Sequence, residues 1–235
     1  MQKGYELVEE EEDKLRDECG VVGVFLNPVQ PQSQEAGSSE HEYEAYSAAD
    51  FNAATQAYYA LYSLQHRGQD SAGIAVSNGE SIQMHKAMGT IAEVFKPEHL
   101  MGLAGHIACG HVRYATAGSA SLENAQPILL QSRLGGVAVA HNGQLVNYEQ
   151  LREMLEEAGS TFASTSDTEV IVKLIAKSYK KGLERALTDT IQMIKGSFAL
   201  VVSTEKCLIG ARDPNGIRPL CLGKVENGWI LASES

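Results

Sequence analysis

Four stretches carry residue types that, brought together, would hydrolyse an amide. Cys19 lies in Arg16-Asp17-Glu18-Cys19-Gly20-Val21-Val22-Gly23-Val24-Phe25, where a charged leader gives way to an apolar run. Downstream, Gly110-His111-Val112-Arg113-Tyr114-Ala115-Thr116 offers a cation. His141-Asn142-Gly143 offers an amide beside a turn glycine, and Thr165-Ser166-Asp167-Thr168-Glu169 a carboxylate. A thiol, an oxyanion donor and a pair of opposite charges are what hydrolysis of an amino acid's amide needs. Each signal is weak alone. A lone Cys more often serves as a small hydrophobe, Asn-Gly is the commonest hairpin turn, and Asp167 also suits the first turn of a helix. Their convergence makes Cys19 a candidate nucleophile, Asn142 and Gly143 candidate oxyanion donors, Arg113 a fork for a carboxylate and Asp167 a partner for an ammonium.

A nucleophilic thiol needs a base. A free α-amine titrates at about 7.7–8, well below the roughly 10.4 of lysine, so it accepts a proton near neutral pH. No His is placed in the sequence as an obvious lender. Residues 1–18, with eight acids and three bases, therefore have two readings: a solvated acidic leader, or a propeptide removed to free the amine of Cys19.

The elements that must position these groups follow from periodicity. Gly20 to Leu26 reads as a buried strand, and residues 27–50, with Pro28, Pro31, Gly37 and five acids, as a long polar loop. Phe51 to Leu64 reads as a helix whose aromatic stripe packs into the core, ending at the polar turn Gln65 to Gly73. Strands are expected at Ile74–Ser77, at Ser81–Lys86 after an Asn78-Gly79 turn, briefly at Ile91–Phe95, at His106–Tyr114 and at Gly135–Ala140. His141-Asn142-Gly143 would then close a strand. Helices follow at Tyr148–Ala158, N-capped by Asn147, at Ser166 to about Lys181 behind a Ser166/Glu169 capping box, and at Leu183–Ile194. Strands return at Ser197–Ser203, Cys207–Ala211, Leu220–Val225 and Trp229–Ser233. This order suggests two sheets with helices outside, an α+β layered fold.

Composition narrows the class. Of 235 residues, 43% are apolar and 21% charged, as in a folded globular protein. The net charge of −11 is concentrated before residue 67, which argues against nucleic acid or an anionic membrane as partner. No apolar run reaches the roughly 20 residues of a membrane span. Cys19, Cys109, Cys207 and Cys221 show no CxxC pairing or metal-ligand spacing, consistent with a reducing cytoplasm. The last three lie in apolar strand contexts and are expected to be poorly reactive.

Five motifs in order resemble the glutaminase domain of the amidophosphoribosyltransferase family: Cys19-Gly20-Val21-Val22-Gly23, Gln65-His66-Arg67-Gly68-Gln69-Asp70-Ser71-Ala72-Gly73-Ile74, Gly110-His111-Val112-Arg113-Tyr114-Ala115-Thr116-Ala117-Gly118, Ala140-His141-Asn142-Gly143 and Ser166-Asp167-Thr168-Glu169. The resemblance runs from about Asp17 to the last residue. It implies the four-layer αββα N-terminal-nucleophile hydrolase fold, two stacked antiparallel sheets between helix layers. It also implies class II amidotransferase chemistry: L-glutamine is hydrolysed to glutamate and ammonia for the first step of purine synthesis.

By the same resemblance Cys19 is the nucleophile with its freed amine as base, and Asn142 and Gly143 form the oxyanion hole. Arg113 clamps the glutamine carboxylate with Thr116 beside it, Asp167 meets the ammonium, and Arg67 and Gly68 form the turn beside the nucleophile that receives the leaving nitrogen. No metal or cofactor is expected in this chain. Magnesium, and in some members an iron–sulfur cluster, is implied for the full-length enzyme with ligands elsewhere, as is a homo-oligomer. The acidic loop at about 30–52 is longer than the family's usual link, and the phosphoribosyltransferase domain is missing from residues 19–235. The rival readings are the glutaminase domain of glucosamine-6-phosphate synthase, asparagine synthetase or glutamate synthase, and a catalytically silent, unprocessed regulatory domain.

Overall fold

The computed structural model describes residues 19–27, 52–114 and 121–235. The acidic leader, most of the 30–52 loop and Thr116 therefore lie outside the described residues. Two antiparallel sheets stack face to face. The first holds β1 (Gly20–Leu26), β2 (Ser71–Ser77), β3 (Ile82–Met88), β4 (Ile107–Arg113), β9 (Cys221–Val225) and β10 (Gly228–Ala232), in the order β3-β2-β4-β1-β10-β9. The second holds β5 (Ile128–Ser132), β6 (Gly135–Leu145), β7 (Gly196–Ser203) and β8 (Leu208–Arg212), in the order β5-β6-β7-β8.

Side-chain alternation divides each strand between two cores. On the first sheet, Val22, Val24 and Leu26 of β1 and Ala108 and Val112 of β4 face helix α1 (Ala53–Ser63). On the second, Val137 and Val139 of β6 and Leu200 and Val202 of β7 face α4 (Tyr148–Glu157), α5 (Asp167–Ser178) and α6 (Leu183–Met193). The opposite parity fills the space between the sheets with Val21, Cys109, Ala140 and Val201. The layers are helix, sheet, sheet, helix, as expected for the αββα fold. Residues of odd number on β1 and β4, and of even number on β6, face the inter-sheet space.

Several local expectations change. Helix α1 begins at Ala53, with the Asn52 side chain accepting from the Ala54 N–H at 3.0 Å. Its buried stripe is Ala53, Ala54, Ala57 and Leu61, small enough to bring helix and sheet together. Tyr59 and Tyr62, expected in the core, face solvent at 62% and 57% exposure. Ile91–Val94 is a helical turn (α2), not a strand, because Glu93 accepts from both the backbone and hydroxyl of Thr90 at 2.8 Å. A further short helix, α3 (Pro97–Gly102), and strand β5 carried no sequence signal strong enough to be read.

Strand β6 does not end before His141. It pairs with β7 as far as Leu145 opposite Gly196, so Asn142 and Gly143 lie within the ladder. Asn147 stands at the start of α4 but does not cap it. Its side chain instead bonds the Met193 carbonyl and the Lys195 N–H. Glu169 likewise does not close a capping box with Ser166; it accepts from the Ala163 and Ser164 N–H groups. Cys109 is buried, as expected, but Cys207 is exposed, contrary to expectation, and Cys221 is half-buried.

Candidate active site

Cys19 stands at the open end of β1, half-buried, with the backbone in the left-handed region at φ 69°. That conformation costs a non-glycine residue on the order of 1–3 kcal/mol, so its surroundings must hold it. They do so on both sides. The Cys19 N–H donates to the Arg67 carbonyl at 2.7 Å. The Cys19 carbonyl accepts from Arg67 Nε at 2.8 Å and from Asn142 Nδ2 at 3.0 Å. The sulfur accepts from the Tyr114 N–H at 3.3 Å and lies 3.6 Å from the Tyr114 carbonyl.

A cavity of about 240 Å³ opens at the sulfur, with Arg113, Gly143 and Asp167 on its walls. That is below the roughly 300–1,000 Å³ of drug-sized sites and suits a small metabolite. Arg113 ends β4 and is 9% exposed. Asp167 opens α5, whose N-cap Ser166 accepts from Thr168 N–H. The lining therefore includes a residue with a guanidinium, one with a carboxylate and one with a thiol. Such a cavity can hold a small zwitterion by both charges and present a third group to the sulfur.

Gly143 has φ 138°, and a Cβ there would lie 2.0 Å from the Ser197 carbonyl oxygen of β7. Only glycine keeps β6 against β7 at this point. Gly68 is explained differently: a Cβ would meet the β4 backbone at Arg113 at 2.6–2.8 Å, so the 65–70 turn could not seat against that strand.

The two carboxylates of this region are held ionised. Burial works to raise the Asp167 pKa, but the His141 ring and the N–H groups of Leu145 and Thr168 outweigh it and hold the group below 3.8. The contacts are 3.0 Å from Leu145 N and 3.5 Å from His141 Nδ1. Burial likewise works against Glu169, and hydrogen bonds from Ser164 and Ala163 with the Lys173 charge bring it below 4.5. Burial drives His111 down to about 3, leaving a neutral ring whose Nε2 faces the His141 carbonyl at 3.2 Å. Burial raises Cys109 to about 12, so that thiol is inert.

The structure thus brings Cys19, Arg113, Gly143 and Asp167 to one cavity. Asn142 lies behind Cys19, fully buried, with Nδ2 also donating to Ser233 Oγ at 3.1 Å. Arg67 lies beneath the nucleophile's backbone, Gly68 seats against β4, and neither lines the cavity. Three further groups escaped the sequence reading. Gln126 bonds the backbone of His141 at both its N–H (2.7 Å) and its carbonyl (3.2 Å). Ser233 and Glu234 reach Asn142 and Arg67. A lone Gln and a Ser-Glu pair after a strand carry no spacing signal. Among the described residues no cluster of three or more His, Cys, Asp or Glu side chains could hold a metal ion, and no helix is long and apolar enough to cross a membrane.

Comparison with known proteins bears on the family and the fold. The amidophosphoribosyltransferase of Staphylococcus epidermidis is 43% identical over 94% of this chain, and that of Bacillus subtilis is 41% identical over 94%. The chain spans about 40% of the length of these relatives, 40% and 42% respectively. The solved structure of glutamine phosphoribosylpyrophosphate (PRPP) amidotransferase from B. subtilis, complexed with ADP and GMP, superposes with a TM-score of 0.77 at 40% identity. It covers 92% of this chain and 42% of that one. The family model described as "Glutamine amidotransferase domain" matches residues 111–235, which contain Arg113, Asn142, Gly143 and Asp167. By this match and these identities, the chain belongs to the glutamine amidotransferase domain family.

Proposed function

We propose that this chain is the ammonia-releasing part of an amidophosphoribosyltransferase and hydrolyses L-glutamine with Cys19 as nucleophile. The observation that carries this reading is the placing of the Cys19 sulfur, Arg113 and Asp167 on one small cavity. Arg113 receives the α-carboxylate and Asp167 the α-ammonium, so the side-chain amide extends toward the sulfur. Asp167 is ionised for that task.

Hydrolysis of the Glu18–Cys19 peptide bond removes the acidic leader and leaves a free amine on Cys19. The Arg67 carbonyl, already 2.7 Å from that nitrogen, accepts one of its hydrogens and aims its lone pair. The amine takes the thiol proton and the thiolate attacks the amide carbon. Negative charge collects on the amide oxygen, which Gly143 on the cavity wall meets with its backbone N–H. Asn142 becomes the second donor once the oxyanion draws one Nδ2 hydrogen from the Cys19 carbonyl, while the bond to Ser233 Oγ keeps the amide in place. Collapse breaks the C–N bond, the ammonium on Cys19 returns its proton to the leaving nitrogen, and ammonia departs. Water, deprotonated by the same amine, then splits the thioester to glutamate and free thiol. Thr116 belongs beside Arg113 in this scheme.

In the longer enzyme the ammonia passes to a phosphoribosyltransferase domain, where PRPP and magnesium bind and where any iron–sulfur cluster finds its ligands. A cytoplasmic, homo-oligomeric enzyme fits this reading, and the free cysteines fit a reducing compartment. Two measurements test it: mass spectrometry of the purified protein and a glutaminase assay. A species beginning at Cys19 with glutamine hydrolysis supports the proposal. An intact leader on protein that is fully active overturns the amine-as-base step. An intact leader without hydrolysis identifies a silent domain.

A further inference from the structure

Both donors on the Cys19 carbonyl have a second hydrogen bond, and both of those end on adjacent residues just after β10. Asn142 Nδ2 donates to Ser233 Oγ at 3.1 Å, and Arg67 Nη1 to the Glu234 carboxylate at 2.7 Å. Ser233 is 1% exposed and is also tied to β1: its hydroxyl accepts from the Val21 N–H at 2.9 Å. Glu234 accepts a further hydrogen bond from His66 Nε2 at 3.0 Å. Neither residue lines the cavity.

This arrangement is costly unless it is used. A guanidinium as buried as Arg67 needs a carboxylate to fix its direction, and Glu234 supplies one. An amide holds one orientation only when its hydrogens are committed, and Ser233 commits one of those on Asn142. What Arg67 and Asn142 then hold is the carbonyl of a residue in the left-handed region. Rotation about the Cys19 backbone would swing the thiol and the amine together, and displacement of a reacting atom by about 1 Å can cost on the order of a hundredfold in rate.

We propose that Ser233 and Glu234 are positioning residues for the nucleophile, fixing Asn142 and Arg67 and through them the direction in which the Cys19 thiol and amine project. The proposal rests on the reading of Cys19 as nucleophile, but one arm of its test does not need glutamine.

The experiment compares the full chain with its Ser233→Ala, Glu234→Gln and Glu234→Ala variants. For each, kcat and KM for glutamine, the rate of Cys19 alkylation by iodoacetamide resolved by peptide mass spectrometry, and the thermal melt are measured. In Ser233→Ala and Glu234→Ala, kcat falls about tenfold while KM stays within about twofold, the split expected when alignment rather than binding is lost. Glu234→Gln, which keeps an acceptor for Arg67, recovers part of that loss. Cys19 alkylation changes severalfold, Cys207 alkylation does not, and Cys109 stays protected. Wild-type kcat and wild-type Cys19 alkylation in both Ser233→Ala and Glu234→Ala overturn the proposal. So does a loss that appears only with a lowered melt and exposure of Cys109, because that is a fold defect. If the parent chain alkylates at Cys19 but does not hydrolyse glutamine, the proposed function fails, and the alkylation rates still decide the positioning role.

Discussion

Cys19 and Arg67 grip each other in both directions: the Cys19 N–H reaches the Arg67 carbonyl at 2.7 Å, and Arg67 Nε reaches the Cys19 carbonyl at 2.8 Å. A residue in a strained conformation is thereby fixed by one neighbour that supplies both an acceptor and a charged donor. Replacement of Arg67 by lysine keeps the charge but not the fork that spans Cys19 and Glu234. We expect Arg67→Lys to lower kcat by about tenfold or more, the equivalent of one charge-assisted hydrogen bond of about 1.5–3 kcal/mol. Steady-state glutaminase kinetics check this.

Substrate binding and chemistry should separate by residue. Arg113→Ala and Asp167→Asn each remove a charge remote from the scissile amide, and we expect KM for glutamine to rise about tenfold to a hundredfold. Asn142→Ala removes a group whose effect is greatest when the oxyanion forms, so kcat should fall with KM nearly unchanged. A rise in KM alone for all three would contradict the assignments.

Thiol chemistry should distinguish Cys19, Cys109 and Cys207. Cys19→Ala is expected to abolish hydrolysis and to abolish adducts with glutamine-like electrophiles. A generic alkylating agent should instead mark Cys19 and the exposed Cys207, and spare Cys109, whose burial raises its pKa to about 12. Peptide mapping of the native protein reads this directly.

Acid should weaken the fold through Glu169. Its folded pKa lies below its ordinary value, so its ionised form contributes stability that is complete above the unfolded pKa. That contribution is lost as pH falls through the folded one. Glu169→Gln should therefore lower stability at neutral pH by about 1–3 kcal/mol and flatten the decline through the carboxylate range. Urea denaturation at a series of pH values measures both effects.

The join between α1 and the first sheet should depend on Leu61. This side chain is fully buried and lies over Gly110, where an added Cβ would meet its Cδ1 at 2.8 Å. Leu61→Ala should cost about 2–5 kcal/mol, visible in the midpoint of chemical unfolding.

Local physics was legible without coordinates. Alternating and continuous apolar runs gave most strands, Ser166 gave the start of α5, and the order of elements gave a layered α+β fold. Residue chemistry singled out Cys19, Arg113, Gly143 and Asp167 only in combination, because a lone thiol, guanidinium, turn glycine or carboxylate each has a commoner structural role. What the sequence left open was direction. Pairing with β7 carries β6 through to Leu145, and that register turns Asn142 toward Cys19 and His141 toward α5. Tyr59 and Tyr62 sit at helical spacing, yet three alanines and Leu61 form the face that fits the sheet. Glu93 made a helical turn of Ile91–Val94, inside the stretch Ile91–Phe95 that reads as a brief strand. Ser233 and Glu234 are the clearest case. Ser233 meets Val21 across 212 positions of chain, and Glu234 meets Arg67 across 167. No local preference encodes such a pairing; it exists only because β10 lies beside β1 in the folded sheet.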